Sequence, residues 1–340
     1  MYNNKTAHPD NYDFVPFPSK VNNTYITDIK KRHGNNSGYA EIEITTVDNL
    51  YIGSGFSHYE TGKGILSETQ KIIPASSLKG AVRQIARAVS DGCIPQDKIE
   101  VPVFGSDGNR IKKPNHKKIN FAVYNAKNER ILKLYKGFNF DSLSSFLAKE
   151  QLKKCTIKFD ENEKKLMTNI CIVCDMFGAM SLGSKIRFTD FEKQNCLTEI
   201  VKAPQQFSPD TASEKYWKRE NGKISYKGYK FYKTTCDKRP EGKQPITAIK
   251  KGTTFKGRVY FKDLFDDQLE LLLYSLGVGK NISLKLGGYK ADGFGTVKTS
   301  CTELIVNDEK RNAYELANKY AKDNADILEK IEDILCYRER

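Results

Sequence analysis

Two strand-and-helix units of one design lie near opposite ends of the chain, and they constrain the fold more than any other feature. In the first, AEIEITTVDNLYIGSG turns Ala40, Ile42 and Ile44 one way and Glu41, Glu43 and Thr45 the other. That two-residue period belongs to a half-buried strand, which Gly53 and Gly55 bring to an end. IIPASSLKGAVRQIARAV then places Pro74 after an apolar strand end, Ser76 or Ser77 as helix cap, and Leu78, Val82, Ile85 and Val89 on a buried stripe. In the second unit, FKGRVYFKD directs Phe255, Gly257, Val259 and Phe261 inward and Lys256, Arg258, Tyr260 and Lys262 outward. DDQLELLLYSLG follows as a helix that buries Leu269, Leu272, Leu273 and Leu276 and stops at Gly277. Between the units, SKIRFTDF adds a strand with Ile186 and Phe188 on one face and Lys185 and Arg187 on the other. Strands outnumber helices, so the expected class is α+β: a four-stranded antiparallel sheet with two helices on one face.

The expected organisation is an N-terminal arm over 1–37, a single core over 38–306 and a helical tail over 307–340. Large basic insertions are expected at about 92–170 and 200–253. The tail carries nine acids and seven bases, so it reads as a segment that packs on the body rather than one that meets a polyanion.

Charge narrows the partner. Lys and Arg number 56 against 42 acids, a net charge of +14, and the common partner of such an excess is nucleic acid. Lys215 to Lys256 is the most basic stretch, with thirteen Lys and Arg against three acids, interleaved with Tyr216, Trp217, Tyr226, Tyr229, Phe231 and Tyr232. Aromatic faces that stack on bases beside cations that follow phosphates suit a single strand; the same tyrosines also read as core residues with a wet end. No apolar run is long enough to span a membrane and the N-terminus has no signal-peptide core, so a cytoplasmic location is expected.

Two corners offer main-chain N–H groups. LGGYKADGFG lacks the Gly-Lys-Ser/Thr ending of a phosphate loop, and a strand follows it rather than a helix, so nucleotide-binding readings fail on context. What remains is a turn whose bare backbone a polymer can approach, with Lys285, Gly287, Gly288, Tyr289, Lys290 and Phe294 as candidate contacts. The alternative is an ordinary glycine-rich hairpin. PASSLKGAVR supplies the second corner: a helix start with unpaired N–H donors, the hydroxyls of Ser76 and Ser77, and the charges of Lys79 and Arg83. Lys185 and Arg187 complete the candidate set.

Catalytic and metal signals are sparse. His58, on a glycine-rich loop with Tyr59 and Lys63 nearby, is the best-placed acid–base group of four histidines. Cys171-Ile-Val-Cys174 has metal-ligand spacing but no second paired motif; Cys155, Cys196 and His116 are loose partners, and two core thiols is the simpler reading. No cofactor is implied.

Taken in order, IGSG, IPASSLKGAVR, CDMFG with the SKIRFTDF strand, FKGRVYFKDL with its leucine helix, and LGGYKADGFGTV resemble the signature blocks of the RAMP superfamily of CRISPR-associated proteins. NYDFVPFPSKV and KGYKFYKTT resemble segments of its type III backbone-type branch. The resemblance implies a ferredoxin-like, RNA-recognition-motif-like core with a thumb-like insertion. It also implies a subunit that stacks with relatives along guide RNA, and with target RNA in some positions, in antiviral defence. By that similarity the SSLKG helix start and the C-terminal glycine loop lie against guide backbone. Cleaving members carry an aspartate between the IGSG and IPASS blocks. FSHYETGKGILSETQK has none, only Glu60 and Glu68, which points to a non-cleaving member. The rivals are target cleavage through Glu60 or Glu68, a metal-independent endoribonuclease using His58, Tyr59 and Lys63, and a basic protein-interaction module.

Overall fold

The computed structural model describes residues 11–337 apart from 61–63, 95–97, 100–118, 125–129, 136–140, 143–146, 148, 152, 161–164, 194–196, 207–213, 221–222 and 235–241. Its centre is a βαββαβ unit: β1 Asn36–Thr46, α1 Ala75–Ala88, β2 Ile186–Phe188, β3 Thr254–Leu264, α2 Asp266–Ser275 and β4 Thr296–Val306. β1 pairs antiparallel with both β3 and β4, and β2 pairs antiparallel with β3, giving the order β4-β1-β3-β2. This is a mixed α+β fold whose antiparallel sheet has the ferredoxin-like strand order. The alternation expected of β1 and β3 is present: Ala40, Ile42, Ile44, Phe255, Val259 and Phe261 are buried. They meet Leu78, Val82 and Ile85 of α1 and Leu269, Leu272 and Leu273 of α2 in one core. Each such side chain contributes roughly 1.5–3 kcal/mol by leaving water. On the opposite face Glu41 is bonded to Arg258, and Glu43 lies 3.2 Å from Lys256, so the outward charges of β1 and β3 pair across the strands.

Gly257 has a packing reason. A Cβ there would sit 2.5 Å from the Phe191 ring, and Phe191 belongs to Phe191–Lys193, a strand that extends the sheet beyond β2. A side chain at 257 would push that extension off β3.

β1 ends at Thr46, and Gly53 and Gly55 lie in a further strand, Gly53–Glu60, which also carries His58, instead of closing β1 in a glycine-rich loop. Two further local expectations change. Neither serine caps α1: Pro74 is the N-cap, and Asp190 accepts the Ala75 N–H at 2.7 Å from the turn after β2. Ser76 and Ser77 therefore lie inside the first turn, exposed. The second change concerns α2, which is buried on every side from Gln268 to Ser275 rather than along one leucine stripe. Its outer face is covered by α3, Ala313–Asp323, which is followed by α4, Ala325–Leu335; Lys319 of α3 reaches Glu270 of α2 at 2.6 Å.

Beside the main sheet, strands Thr198–Ala203, Gln244–Ile249, Gly64–Thr69 and Gly53–Glu60 form a second one. Tyr12–Val15 pairs antiparallel with Tyr229–Tyr232. Among the described residues no helix is long and apolar enough to cross a membrane.

Candidate nucleic-acid interface

The first turn of α1 faces the glycine loop across a groove of about 570 Å³. Ser76, Ser77, Gly80 and Gln84 form one wall, and Gly287, Gly288 and Lys290 form the other. The wall on α1 is smooth because its residues are small; a Cβ at Gly80 would meet nothing within 4 Å. Neither serine hydroxyl has a partner among the described residues, and the N-terminus of a fourteen-residue helix carries positive dipole charge.

The glycines of the loop serve a purpose other than the one the sequence suggests. Gly287 has φ +73° and its Cβ would lie 2.2 Å from the Tyr51 carbonyl oxygen, which also accepts the Gly288 N–H at 2.7 Å. Gly295, at φ +84°, would place a Cβ 2.0 Å from the carbonyl oxygen of Leu286. Bare backbone is thus required first by the protein's own main chain, which folds the loop against Tyr51 and onto itself. Tyr51 then packs edge-on against Tyr289 with ring centroids 5.3 Å apart, Phe294 lies tilted against Tyr289 at 5.7 Å, and Tyr289 and Phe294 are buried with Ile246 and Ala248. Both rings are buried in that cluster. The N–H groups of Gly287, Tyr289 and Lys290 have no acceptor among the described residues.

The candidate cations divide into two groups. Lys79 donates to Ser184 Oγ at 2.8 Å and to the Ile186 carbonyl at 3.0 Å, and Arg83 donates to the Gly178 carbonyl at 2.8 Å, so both brace the turn that leads into β2. Burial, and then Arg83, lower the Lys79 ammonium from its ordinary value. Lys185 is 2.6 Å from Asp175, which is fully buried and also takes Arg32 at 2.5 Å and Gln268 at 2.6 Å. Lys285 is buried and donates to the Phe294 carbonyl at 3.0 Å. These four hold the fold. Arg187 is exposed on β2, and Lys290 lines the groove with no ion pair or hydrogen bond to a described residue. Burial alone lowers the Lys290 ammonium, a desolvation with no compensating anion.

The basic-aromatic stretch divides: most of its aromatics enter the core, while Lys230, Phe231 and Tyr232 also line the groove. Tyr216 and Trp217 are buried with Phe14, Val21 and Ile94, and Tyr229 and Phe231 belong to the main core. Lys230 lies over the Tyr12 ring at 3.9 Å and donates to the Tyr216 hydroxyl at 2.7 Å, a cation inside an aromatic cage. Exposed aromatics occur elsewhere, at Phe56 and Tyr59 on the hairpin Gly53–Glu60 and Gly64–Thr69. His58 of that hairpin is 3.6 Å from Glu68. Glu60 lies in the same strand, and Lys63 lies outside the described residues. Gly53, which opens that hairpin, lines the groove, whereas His58 and Glu68 are not among its lining residues.

Cys171 and Cys174 are joined by Cys155 and by Cys93, all four sulfurs lying within 4.8 Å of one another. Cys196 and His116 lie outside the described residues. Cys93 escaped the sequence reading because it stands 78 residues from Cys171 and belongs to no short-spaced motif. Thiol donors from Cys155, Cys174 and Cys93 hold the Cys171 sulfur well below the usual thiol range.

Fold and groove define the class: an α+β protein built on a ferredoxin-like βαββαβ sheet, with two N–H-bearing corners facing one another. A family model described as "RAMPs: RAMP superfamily" matches residues 43–156 and 142–298, and the chain belongs to that superfamily. Among solved structures it is similar to Csc2 of Thermofilum pendens at 15% identity, over 91% of this chain and 79% of that one, with a TM-score of 0.34. No curated protein matches the chain in sequence.

Proposed function

We propose that the chain is a structural subunit of a multisubunit type III CRISPR effector complex that binds the backbone of guide RNA and does not cut target RNA. The observation that carries this reading is the shared groove: the Ser76–Ser77 helix start and the Gly287–Lys290 loop, far apart in sequence, line one cleft. Free N–H groups on the loop, two hydroxyls, the dipole end of α1 and the unpaired Lys290 ammonium all favour a phosphate there. A bound phosphate would offset the desolvation that lowers Lys290. Membership of the RAMP superfamily and the net charge of +14 agree with this. The non-cleaving assignment rests on the Asp-free interval from Phe56 to Lys71.

The test is ultraviolet crosslinking of the assembly purified from its own cells, with peptides read by mass spectrometry. Nucleotide adducts are expected within 74–84 and 286–295. Adducts confined to other segments would remove the reading. Affinity for single-stranded RNA should fall by about 0.7 log unit per log unit of salt for each phosphate neutralised.

A further inference from the structure

We propose that Cys93, Cys155, Cys171 and Cys174 hold a structural zinc ion. The four come from three separate segments: the end of the turn that follows α1, the residue before strand Thr156–Asp160, and the start of the short helix Ile172–Phe177. Hairpin strands Thr156–Asp160 and Lys165–Ile170 run antiparallel, which returns the chain to Cys171 beside Cys155. Cys171 and Cys174 are buried and the other two are half-buried.

Their geometry suits one small ion. All four sulfurs lie within 4.8 Å of one another, and those of Cys93 and Cys174 are 3.4 Å apart. Tetrahedral Zn–S bonds of about 2.3 Å set neighbouring sulfurs about 3.8 Å apart. A disulfide needs about 2.05 Å. An iron–sulfur cluster distributes its four thiolates over two or four irons and spreads them more widely than a single ion does, so this compact set favours a mononuclear site.

Main-chain donors point at the sulfurs as well. The N–H of Cys171 donates to Cys155 Sγ at 3.2 Å, while those of Cys93 and Cys174 donate to Cys171 Sγ at 3.4 and 3.5 Å. Thiols packed only as apolar core have no need of such donors, whereas metal-bound thiolates are stabilised by them.

Four soft thiolates in a tetrahedron select zinc, and with no open position left the ion is structural rather than catalytic. Binding releases up to four thiol protons as the thiolates form, so occupancy weakens as pH falls. Mechanically, the ion ties Cys93 and Cys155, which bracket the interval 94–154 in sequence, to the short helix whose Asp175 anchors Arg32, Lys185 and Gln268. It ties the two ends of that interval together.

The experiment is metal analysis of the full chain purified without chelator from zinc-supplemented cells. One zinc per chain is expected, with Cys301→Ser retaining it and Cys93→Ser or Cys171→Ser losing most of it. Because those variants can fail to fold, the wild type is also loaded with Co²⁺ in place of zinc. A tetrathiolate site then shows intense ligand-field bands in the red and sulfur-to-metal charge transfer in the near ultraviolet. Thermal melting after chelation should shift downward by several degrees. A metal-free chain that gives no tetrahedral cobalt spectrum overturns the proposal, as does iron in place of zinc or a disulfide among the four in the freshly purified protein.

Discussion

Gly80→Glu separates the groove from the fold. Gly80 is exposed inside α1, and a Cβ there meets nothing within 4 Å, so no packing reason accounts for a glycine that costs about 1 kcal/mol against Ala in a helix interior. Replacing it by Glu is expected to raise stability by roughly 0.5 kcal/mol from propensity alone. The same carboxylate enters the wall that faces Gly287 and Lys290. With a phosphate about 6 Å away and an effective dielectric constant of about 40, the repulsion is about 332/(40 × 6), or about 1.4 kcal/mol, which is about tenfold in affinity. A Debye length of about 10 Å at 0.1 M salt preserves most of that effect, and higher salt should erase it. Fluorescence polarisation with labelled single-stranded RNA across a salt series, run beside thermal melts, reads both quantities. Gly80→Ala should melt higher than wild type and bind within twofold of it. A folded Gly80→Glu protein that binds RNA as tightly as wild type at low salt would refute the groove as the phosphate site.

Two further substitutions test the frame around the groove. Asp175→Ala leaves Lys185 and Arg32 facing a buried void, so a loss of about 3–5 kcal/mol in chemical denaturation is expected, insensitive to salt; Glu43→Gln, at an exposed pair, should cost less than about 1 kcal/mol. Equal midpoint shifts for the two would show that the Asp175 hub carries no special load. Gly287→Ala must bear a left-handed φ and a Cβ 2.2 Å from the Tyr51 oxygen, whereas Gly55→Ala bears only a φ of +80° in open space. Gly55→Ala should cost about 1–2 kcal/mol and Gly287→Ala distinctly more; similar costs would mean that the loop does not need its close seat on Tyr51.

Much of the fold was legible because its signals are local. Alternation in AEIEIT and FKGRVYF, the stripe on α1 and the turn glycines act within a few residues, where pleat and helix period alone decide which way a side chain faces. The groove was half legible. The residues of both corners could be read from the chain, but the contacts that Lys79, Arg83, Lys185 and Lys285 make within the fold could not. Lys79 and Arg83 met the carbonyls of the turn before β2, Lys185 met Asp175, and Lys285 met Phe294. A cation near a buried acceptor gains more by satisfying it than by waiting for solvent, and the identity of that acceptor is a long-range fact.

By itself, then, the order of residues determined the strands of the main sheet, both core helices, the excess of positive charge and the kinship of the chain. Tertiary structure alone decided which candidate lysine of the groove keeps its ammonium without a partner among the described residues, why the loop glycines must be bare, and that Cys93 meets cysteines far along the chain. The reason is range: backbone geometry is set by neighbours in sequence, whereas the partner of a charge, a carbonyl or a sulfur is set by whatever chain folding brings to its side.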